Sequence, residues 1–185
     1  MKSRCFWVSD SKLYQEYHDN EWGQPVYDDE TLFEFLVLET FQAGLSWITV
    51  LNKRENFRRA FDNFDYNKIA KYPERKYEFL LQDAGIIRNK LKIRSAITNA
   101  QLFMEVQKEF GSFSKFIWSY VNDKPIINRF ETKEEVPAKT LLSDIISKDL
   151  KKLGFKFVGS TVIYAYMQAI GMVNDHTTDC FKYPK

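Results

Sequence analysis

Cysteine, histidine, glycine and proline are all scarce in this chain, and each scarcity excludes something. Two cysteines among 185 residues cannot frame a disulfide-rich secreted scaffold, and in a reducing compartment they suit a metal or chemistry better than a bridge. Seven glycines and five prolines leave few interruptions, which favours long helices on short connections. No apolar run approaches the ~18 residues that span a bilayer. Met1 to Asp10 carries Lys2 and Arg4 but neither the apolar core nor the cleavage site of a signal peptide. A cytoplasmic protein without a membrane partner is the expectation. A strong excess of one charge is missing too. The net charge of +2 and a pI near 8.4 neither demand nor obstruct a nucleic-acid partner, so any such contact must come from a local patch.

What is present is core material: 16 Phe, 10 Tyr and 4 Trp in a chain of one-domain length. A single domain over residues 1–185 is expected. The strongest periodic segment follows Asp28-Asp29, an N-cap with acid in the first turn. Leu32, Phe35, Leu36 and Glu39 share one helical stripe, flanked by Phe33, Val37 and Phe41. After a break at Ala43-Gly44-Leu45, Ser46 is expected to cap a helix from Trp47 to about Phe61. Asp65 caps a short helix, and Pro73 opens one running to Ala84 before Gly85. Asn89 to Phe110 reads as one long helix with Leu91, Ile93, Ile97, Ala100, Phe103 and Met104 inward, ended by Gly111. Helices over Phe113–Val121, Thr140–Leu153 and Ser160–Ile170 follow, with a loop from Asn122 to Ala138. No segment alternates long enough for a sheet. The fold class is all-α, and Trp118 belongs to the core.

All the cysteine and histidine falls into two pairs, Cys5 with His18 and His176 with Cys180. The second pair is four residues apart, the spacing of one helical face. Two thiolates and two imidazoles would make a closed tetrahedral zinc site, structural because no position is left for water. One zinc per chain would then tie the N-terminal arm to the C-terminal tail. The competing reading, four unrelated core or surface residues, stands beside it, since the spacing fits no short zinc-finger pattern.

Leu153-Gly154-Phe155-Lys156-Phe157-Val158-Gly159 joins two predicted helices by a tight hairpin. Its glycines permit positive φ or close approach of another backbone. Gly159 and Ser160 start a helix whose free N–H groups and dipole favour an anion. Lys148, Lys151, Lys152 and Lys156 surround that end, and Arg88, Lys90, Lys92 and Arg94 form a second basic run. The hairpin is either a phosphate clamp or an ordinary helix-helix turn with solvated lysines. Glu39, meanwhile, sits on the apolar stripe with no obvious basic partner, which is costly for a buried carboxylate. One solution is a cationic ligand held by the carboxylate and by aromatic faces such as Phe6, Trp7, Tyr14, Tyr17, Trp22 and Trp47. The other is that these rings are core and Glu39 caps a neighbouring helix.

Several blocks in fixed order resemble the DNA-3-methyladenine glycosylase I family of bacteria. They are Arg4-Cys5 with Trp7-Val8, Tyr14, Tyr17-His18-Asp19-Asn20-Glu21-Trp22-Gly23, Glu39 and Gln42-Ala43-Gly44-Leu45-Ser46-Trp47-Ile48. Lys53-Arg54-Glu55-Asn56, Asp83-Ala84-Gly85-Ile86-Ile87-Arg88, Gly154-Phe155-Lys156-Phe157-Val158-Gly159 and Val173-Asn174-Asp175-His176 complete the set. The resemblance implies a helix-hairpin-helix glycosylase fold with structural zinc at Cys5, His18, His176 and Cys180. It implies that Glu39, Tyr17 and Trp47 contact an excised 3-methyladenine, and that Trp7, Tyr14 and Trp22 build the pocket. Leu45 would enter the gap in the DNA stack, and Gly154, Lys156, Gly159 and Ser160 would hold the backbone. Asp175, beside a zinc ligand, reads as structural. A monomer acting on double-stranded alkylated DNA, with no nucleotide cofactor and no Schiff-base lysine, is expected. A non-enzymatic DNA-binding module is the alternative, but it leaves Glu39 unexplained. A zinc hydrolase fits less well, because four protein ligands close the metal.

Overall fold

The computed structural model describes residues 2–184. Its helices are α1 (Lys12–Asn20), α2 (Asp29–Gln42), α3 (Trp47–Leu51), α4 (Arg54–Ala60), α5 (Tyr66–Ile69), α6 (Glu74–Gln82), α7 (Lys90–Phe110), α8 (Phe113–Ser119), α9 (Leu141–Lys152) and α10 (Ser160–Ala169). A parallel ladder two residues long joins β1 (Ile126–Ile127) to β2 (Val173–Asn174). The all-α expectation holds.

Helix α2 is the axis of the fold. Asp28 caps it, its carboxylate accepting from the Thr31 N–H at 2.8 Å. Every residue from Leu32 to Phe41 except Glu34 is buried, so the apolar surface runs round the whole helix rather than along one stripe. Helices α3, α7, α8 and α10 pack against it, and the Tyr166 hydroxyl donates to the Leu32 carbonyl at 3.0 Å. Helix α7 starts on Asn89, whose side chain accepts from Lys92 N–H, and ends on Gly111 at φ +87. Asp65 caps α5, and a Thr140–Ser143 capping box opens α9. Trp118 is buried, donating its Nε1 proton to the Val26 carbonyl at 2.7 Å.

Four local expectations are corrected. The helix from Trp47 to Phe61 is two helices broken at Asn52-Lys53, because Arg54 turns inward to Glu34 (2.6 Å) and Glu21 (2.7 Å). Ser46 stands at the N-cap of α3, but its hydroxyl meets Thr49 Oγ1 at 2.7 Å instead of accepting from a backbone N–H. Pro73 is the N-cap rather than the first helical residue, and α6 stops at Gln82, where Asp83 turns to accept from Gly85 N–H. Leu91 is 70% exposed, since it lies off the α7 face that buries Ile93, Ala96, Ile97, Ala100 and Phe103. Helix α1 is not among the expected helices; Tyr17 and His18 alone are buried in it. The loop from Asn122 to Ala138 holds β1 and a single 3-10 turn at Lys133–Glu135.

Between α10 and β2 the backbone passes tightly over the segment after α1. Gly171 has φ +68, and a Cβ there would run into the backbone of Gln24 and Pro25. Gly171→Ala combines left-handed strain with overpacking and should cost about 3 kcal/mol, lowering Tm by roughly 10 °C. An unchanged Tm would show that residues 23–26 move aside without penalty.

Candidate active site

One cavity of about 320 Å³ gathers Trp7, Tyr14, Tyr17, Trp22, Glu39 and Trp47, every residue singled out for the base pocket. Phe6 joins them at the rim. The rings form a continuous set: Trp7 lies 5.0 Å from Tyr14 and 4.9 Å from Trp22, and Tyr17 lies 5.2 Å from Trp47. Offset and edge contacts at such separations hold aromatic walls firmly.

Glu39 is 3% exposed and has no hydrogen-bond partner among the described residues, so the alternative of a helix-capping glutamate is excluded. Two cations are buried among those residues, Arg54 and Lys92, and both are committed elsewhere. Arg54 serves Glu34 and Glu21, while Lys92 donates to the carbonyls of Phe41 (2.8 Å) and Ala43 (2.6 Å). Burial therefore pushes the Glu39 carboxyl up to about 8. Tyr17 is raised by burial and then by the Glu39 charge, and Tyr14 in the same way. The Trp47 Nε1 proton is buried without an acceptor. A cavity with an unpaired carboxyl, an idle indole N–H and aromatic faces is made for a flat polar cation.

The opposite wall was less legible. Thr161, Tyr164 and Gln168 of α10, Val136-Pro137-Ala138, Gln42 and Asp175 also line the cavity. Asp175 is buried and accepts from Tyr164 Oη (2.5 Å), Asn128 Nδ2 (2.7 Å) and Gln168 Nε2 (2.8 Å). It therefore stands both beside a metal-ligand candidate and in the cavity wall. The four-residue spacing of Tyr164 and Gln168 was the available signal, but it has no target until the tail docks.

Cys5, His18, His176 and Cys180 converge, with all four ligand atoms within 4.8 Å of one another. Cys5 Sγ to His176 Nδ1 and Cys180 Sγ to His18 Nε2 are both 3.4 Å, and Cys180 Sγ to His176 Nδ1 is 3.6 Å. A tetrahedral ion with ordinary thiolate and imidazole bond lengths requires S···N edges of about 3.5 Å. The far ring nitrogens suit this as well. His18 Nδ1 lies 2.8 Å from Asp19 Oδ1, and His176 Nε2 lies 3.3 Å from the Trp22 carbonyl. Each ring can donate there and turn its bare nitrogen to the ion. Asp19 is fixed by Arg4 through two 2.8 Å bonds, which hold it at about 2. Burial lowers His176 to about 4 and lifts the Cys5 thiol to about 12, so a bound cation must displace thiol protons.

The hairpin between α9 and α10 is present, with Gly154 at φ +100. Gly159, in contrast, has φ −61 and open space around its would-be Cβ; the second positive φ belongs to Phe157, at +55. The N–H groups of Phe157, Val158, Gly159 and Ser160 have no acceptor among the described residues. Lys156 is exposed, and the Ser160 hydroxyl pairs with Ser143 Oγ at 2.8 Å. The second basic run survives in part: Lys92 is buried at the end of α2 and Arg94 pairs with Glu74 at 2.7 Å, while Arg88 and Lys90 are exposed. Leu45 is 38% exposed in the loop after α2, its carbonyl held by Gln42 Nε2 at 2.9 Å.

Two outcomes follow from this geometry. Between pH 4.5 and 8 the folded chain keeps a proton on Glu39 that the unfolded chain has released, so stability falls as pH rises through that window. Glu39→Gln should remove that slope and, above pH 8, stabilise the free protein by on the order of a few kcal/mol in denaturant titrations; parallel pH profiles would refute the buried, unpaired acid. Purified protein should carry one divalent ion per chain, and complete removal by a chelator should lower Tm by about 10 °C or more. An unchanged Tm after verified removal would show that the four residues do not form a stabilising metal site.

Residues 7–183 match the family model described as methyladenine glycosylase. The DNA-3-methyladenine glycosylase 1 of Escherichia coli (strain K12) is 51% identical, the alignment covering 98% of this chain and 97% of that protein. A crystal structure of a 3-methyladenine DNA glycosylase I superposes with a TM-score of 0.96 at 50% identity, over 98% of this chain and all of the other. The Staphylococcus aureus enzyme, solved to explain its recognition of 3-methyladenine, superposes at 0.95 with 36% identity over 98% of this chain and 97% of its own. With the cavity, the carboxyl and the hairpin in place over this whole length, the chain belongs to the methyladenine glycosylase family.

Proposed function

We propose that this protein is a monofunctional DNA glycosylase that flips 3-methyladenine out of alkylated double-stranded DNA and hydrolyses its N-glycosidic bond. The observation that carries the reading is Glu39: a buried carboxyl without a cationic partner, facing an aromatic cavity. An N3-methylated adenine in DNA carries a positive charge, and normal adenine does not. Beside that charge the Glu39 proton is released, and the anion pairs with the base. Tyr17 and Trp47 contact the base, while Trp7, Tyr14 and Trp22 shape the pocket.

The methylated base is already a good leaving group. The bond from sugar to base breaks with its electron pair going to the base, which departs neutral. Water adds to the sugar carbon, and one proton is lost to solvent. The protein supplies orientation and charge stabilisation. No lysine lines the cavity among the described residues, which accords with base release without strand cleavage.

Helix α10 joins the pocket to the DNA backbone, because Thr161 and Tyr164 wall the cavity one turn after the hairpin. Gly154, Lys156, Gly159 and Ser160 hold phosphate through backbone N–H groups and charge, without sequence preference. Leu45 fills the space the flipped nucleotide leaves. The ion at Cys5, His18, His176 and Cys180 is zinc, since two sulfur and two nitrogen donors in a closed tetrahedral arrangement match its preference. The chain acts as one domain and one monomer in the cytoplasm.

Chromatography of methylated DNA incubated with the protein should show free 3-methyladenine. Glu39→Gln, nearly the same size, should lower the single-turnover rate roughly 10–100-fold. Release at the wild-type rate by the variant would remove Glu39 from the mechanism. DNA binding without any release would leave a binding module.

A further inference from the structure

Asn99 lies in the middle of α7, 1% exposed, and its side chain is devoted to one peptide of the hairpin. Its Nδ2 donates to the Lys156 carbonyl at 3.0 Å, and its Oδ1 accepts from the Lys156 N–H at 2.8 Å. An amide that grips both backbone groups of one residue fixes that residue as a strand neighbour would. On the far side, Ser147 Oγ donates to the Val158 carbonyl at 2.6 Å, in a buried contact. Between the two grips stands Phe157 with φ +55. This conformation costs a non-glycine residue about 1–2 kcal/mol and persists only where its surroundings impose it.

These grips sort the backbone by charge. Two of the three carbonyls from Lys156 to Val158, those of Lys156 and Val158 themselves, are occupied by protein donors, while that of Phe157 has none among the described residues. The N–H groups of Phe157, Val158 and Gly159 are left without acceptors, those of Phe157 and Gly159 on part-exposed residues and that of Val158 on a buried one. That partition is what an anion-binding turn requires before the anion arrives.

We propose that Asn99 is a positioning residue for DNA: without touching it, Asn99 holds the 156–159 backbone in the strained form that presents free N–H groups to a phosphate. The proposal rests on the hairpin being the DNA contact, so its test carries a control for that reading. Gly159→Asp is the control. The position has helical-cap geometry with open space for a side chain, where aspartate is a good N-cap, yet its charge repels phosphate.

The assay titrates metal-loaded protein with a duplex of about 20 base pairs holding one tetrahydrofuran abasic analogue. Affinity is followed by anisotropy across a range of KCl. Free 3-methyladenine is titrated in parallel by tryptophan fluorescence. Asn99→Leu should bind the duplex about 10-fold more weakly, equivalent to about 1.4 kcal/mol. Its slope of log affinity against log salt should be shallower by about one, while its affinity for the free base stays within about twofold. Added to Gly159→Asp, the substitution should cause little further loss. Unchanged duplex affinity and slope in Asn99→Leu, with Gly159→Asp weakened, would overturn the role of Asn99 alone. Full affinity in Gly159→Asp would overturn the hairpin reading and this proposal with it. Equal losses for duplex and free base, or failure of both Asn99→Leu and Asn99→Ser to fold, would make Asn99 a plain structural residue.

Discussion

An uncompensated carboxyl inside an apolar helix is the constraint on which the rest of this architecture depends. Glu39 sits among Leu36, Leu38, Thr40 and Phe41, all buried, and such a group is tolerated only as the neutral acid or beside a cation brought from outside. A fold optimised for stability alone would place Arg54 or Lys92 against it. Here Arg54 is held by two glutamates and Lys92 by two carbonyls at the end of α2. The cavity must then stay open against collapse, and its walls come from both ends of the chain. Trp7 contacts His18 at 5.3 Å, Trp22 contacts His176 at 4.7 Å, and Gly23 packs on the same His176 ring. The four-residue Cys/His cluster therefore does more than prevent fraying, since its rings are the back of the aromatic wall.

The legible parts of this protein are those whose physics is local. Helix α2 and the 21-residue α7 follow from dense apolar spacing and from the caps Asp28 and Asn89, and the cavity aromatics follow from their number around one misplaced carboxyl. The illegible parts are set by distant partners. Nothing between Trp47 and Phe61 shows that Arg54 will leave the surface for Glu21 and Glu34 and break the helix. Among Arg88, Lys90, Lys92 and Arg94, nothing in the run tells which residue meets the end of α2. Asp175 beside His176 reads as support for a ligand, and its place in the cavity wall appears only when β2 docks beside α10 and Asn128 arrives with β1. Asn99 carries no signal at all, because its partner is a backbone peptide 57 residues away.

Helix α10 turns these separate features into one device. Its N-terminus is the open end of the hairpin, its second and third turns supply Tyr164 and Gln168 to the cavity, and it packs on α2, which carries Glu39. The loop after α2 ends the other side of the same arrangement. Lys92 satisfies the carbonyls on which α2 terminates and offsets the negative end of its dipole, and Gln42 fixes Leu45 while also facing the cavity. Under the proposed function, backbone contact, wedge and base pocket would all be carried by two packed helices and their ends, leaving little slack between holding a phosphate and presenting a base.

The magnitudes show why an unpaired acid is a better discriminator than a paired one. Moving the Glu39 carboxyl from 4.5 to about 8 corresponds to roughly 5 kcal/mol against its charged form. A unit positive charge about 4 Å away, at the effective dielectric of a protein site, returns about 4 kcal/mol. The two quantities are comparable, so one charge on the base suffices to bring the carboxylate back toward ionisation near neutral pH. Neutral adenine of nearly the same shape supplies no such term and meets a protonated acid. Had Glu39 been paired with Arg54, the anion would have been stable beforehand, and the extra charge of the substrate would have changed little. Under the proposed function, selectivity for a cationic lesion over the undamaged base would therefore rest on withholding a partner from Glu39, at the cost of stability in the free protein.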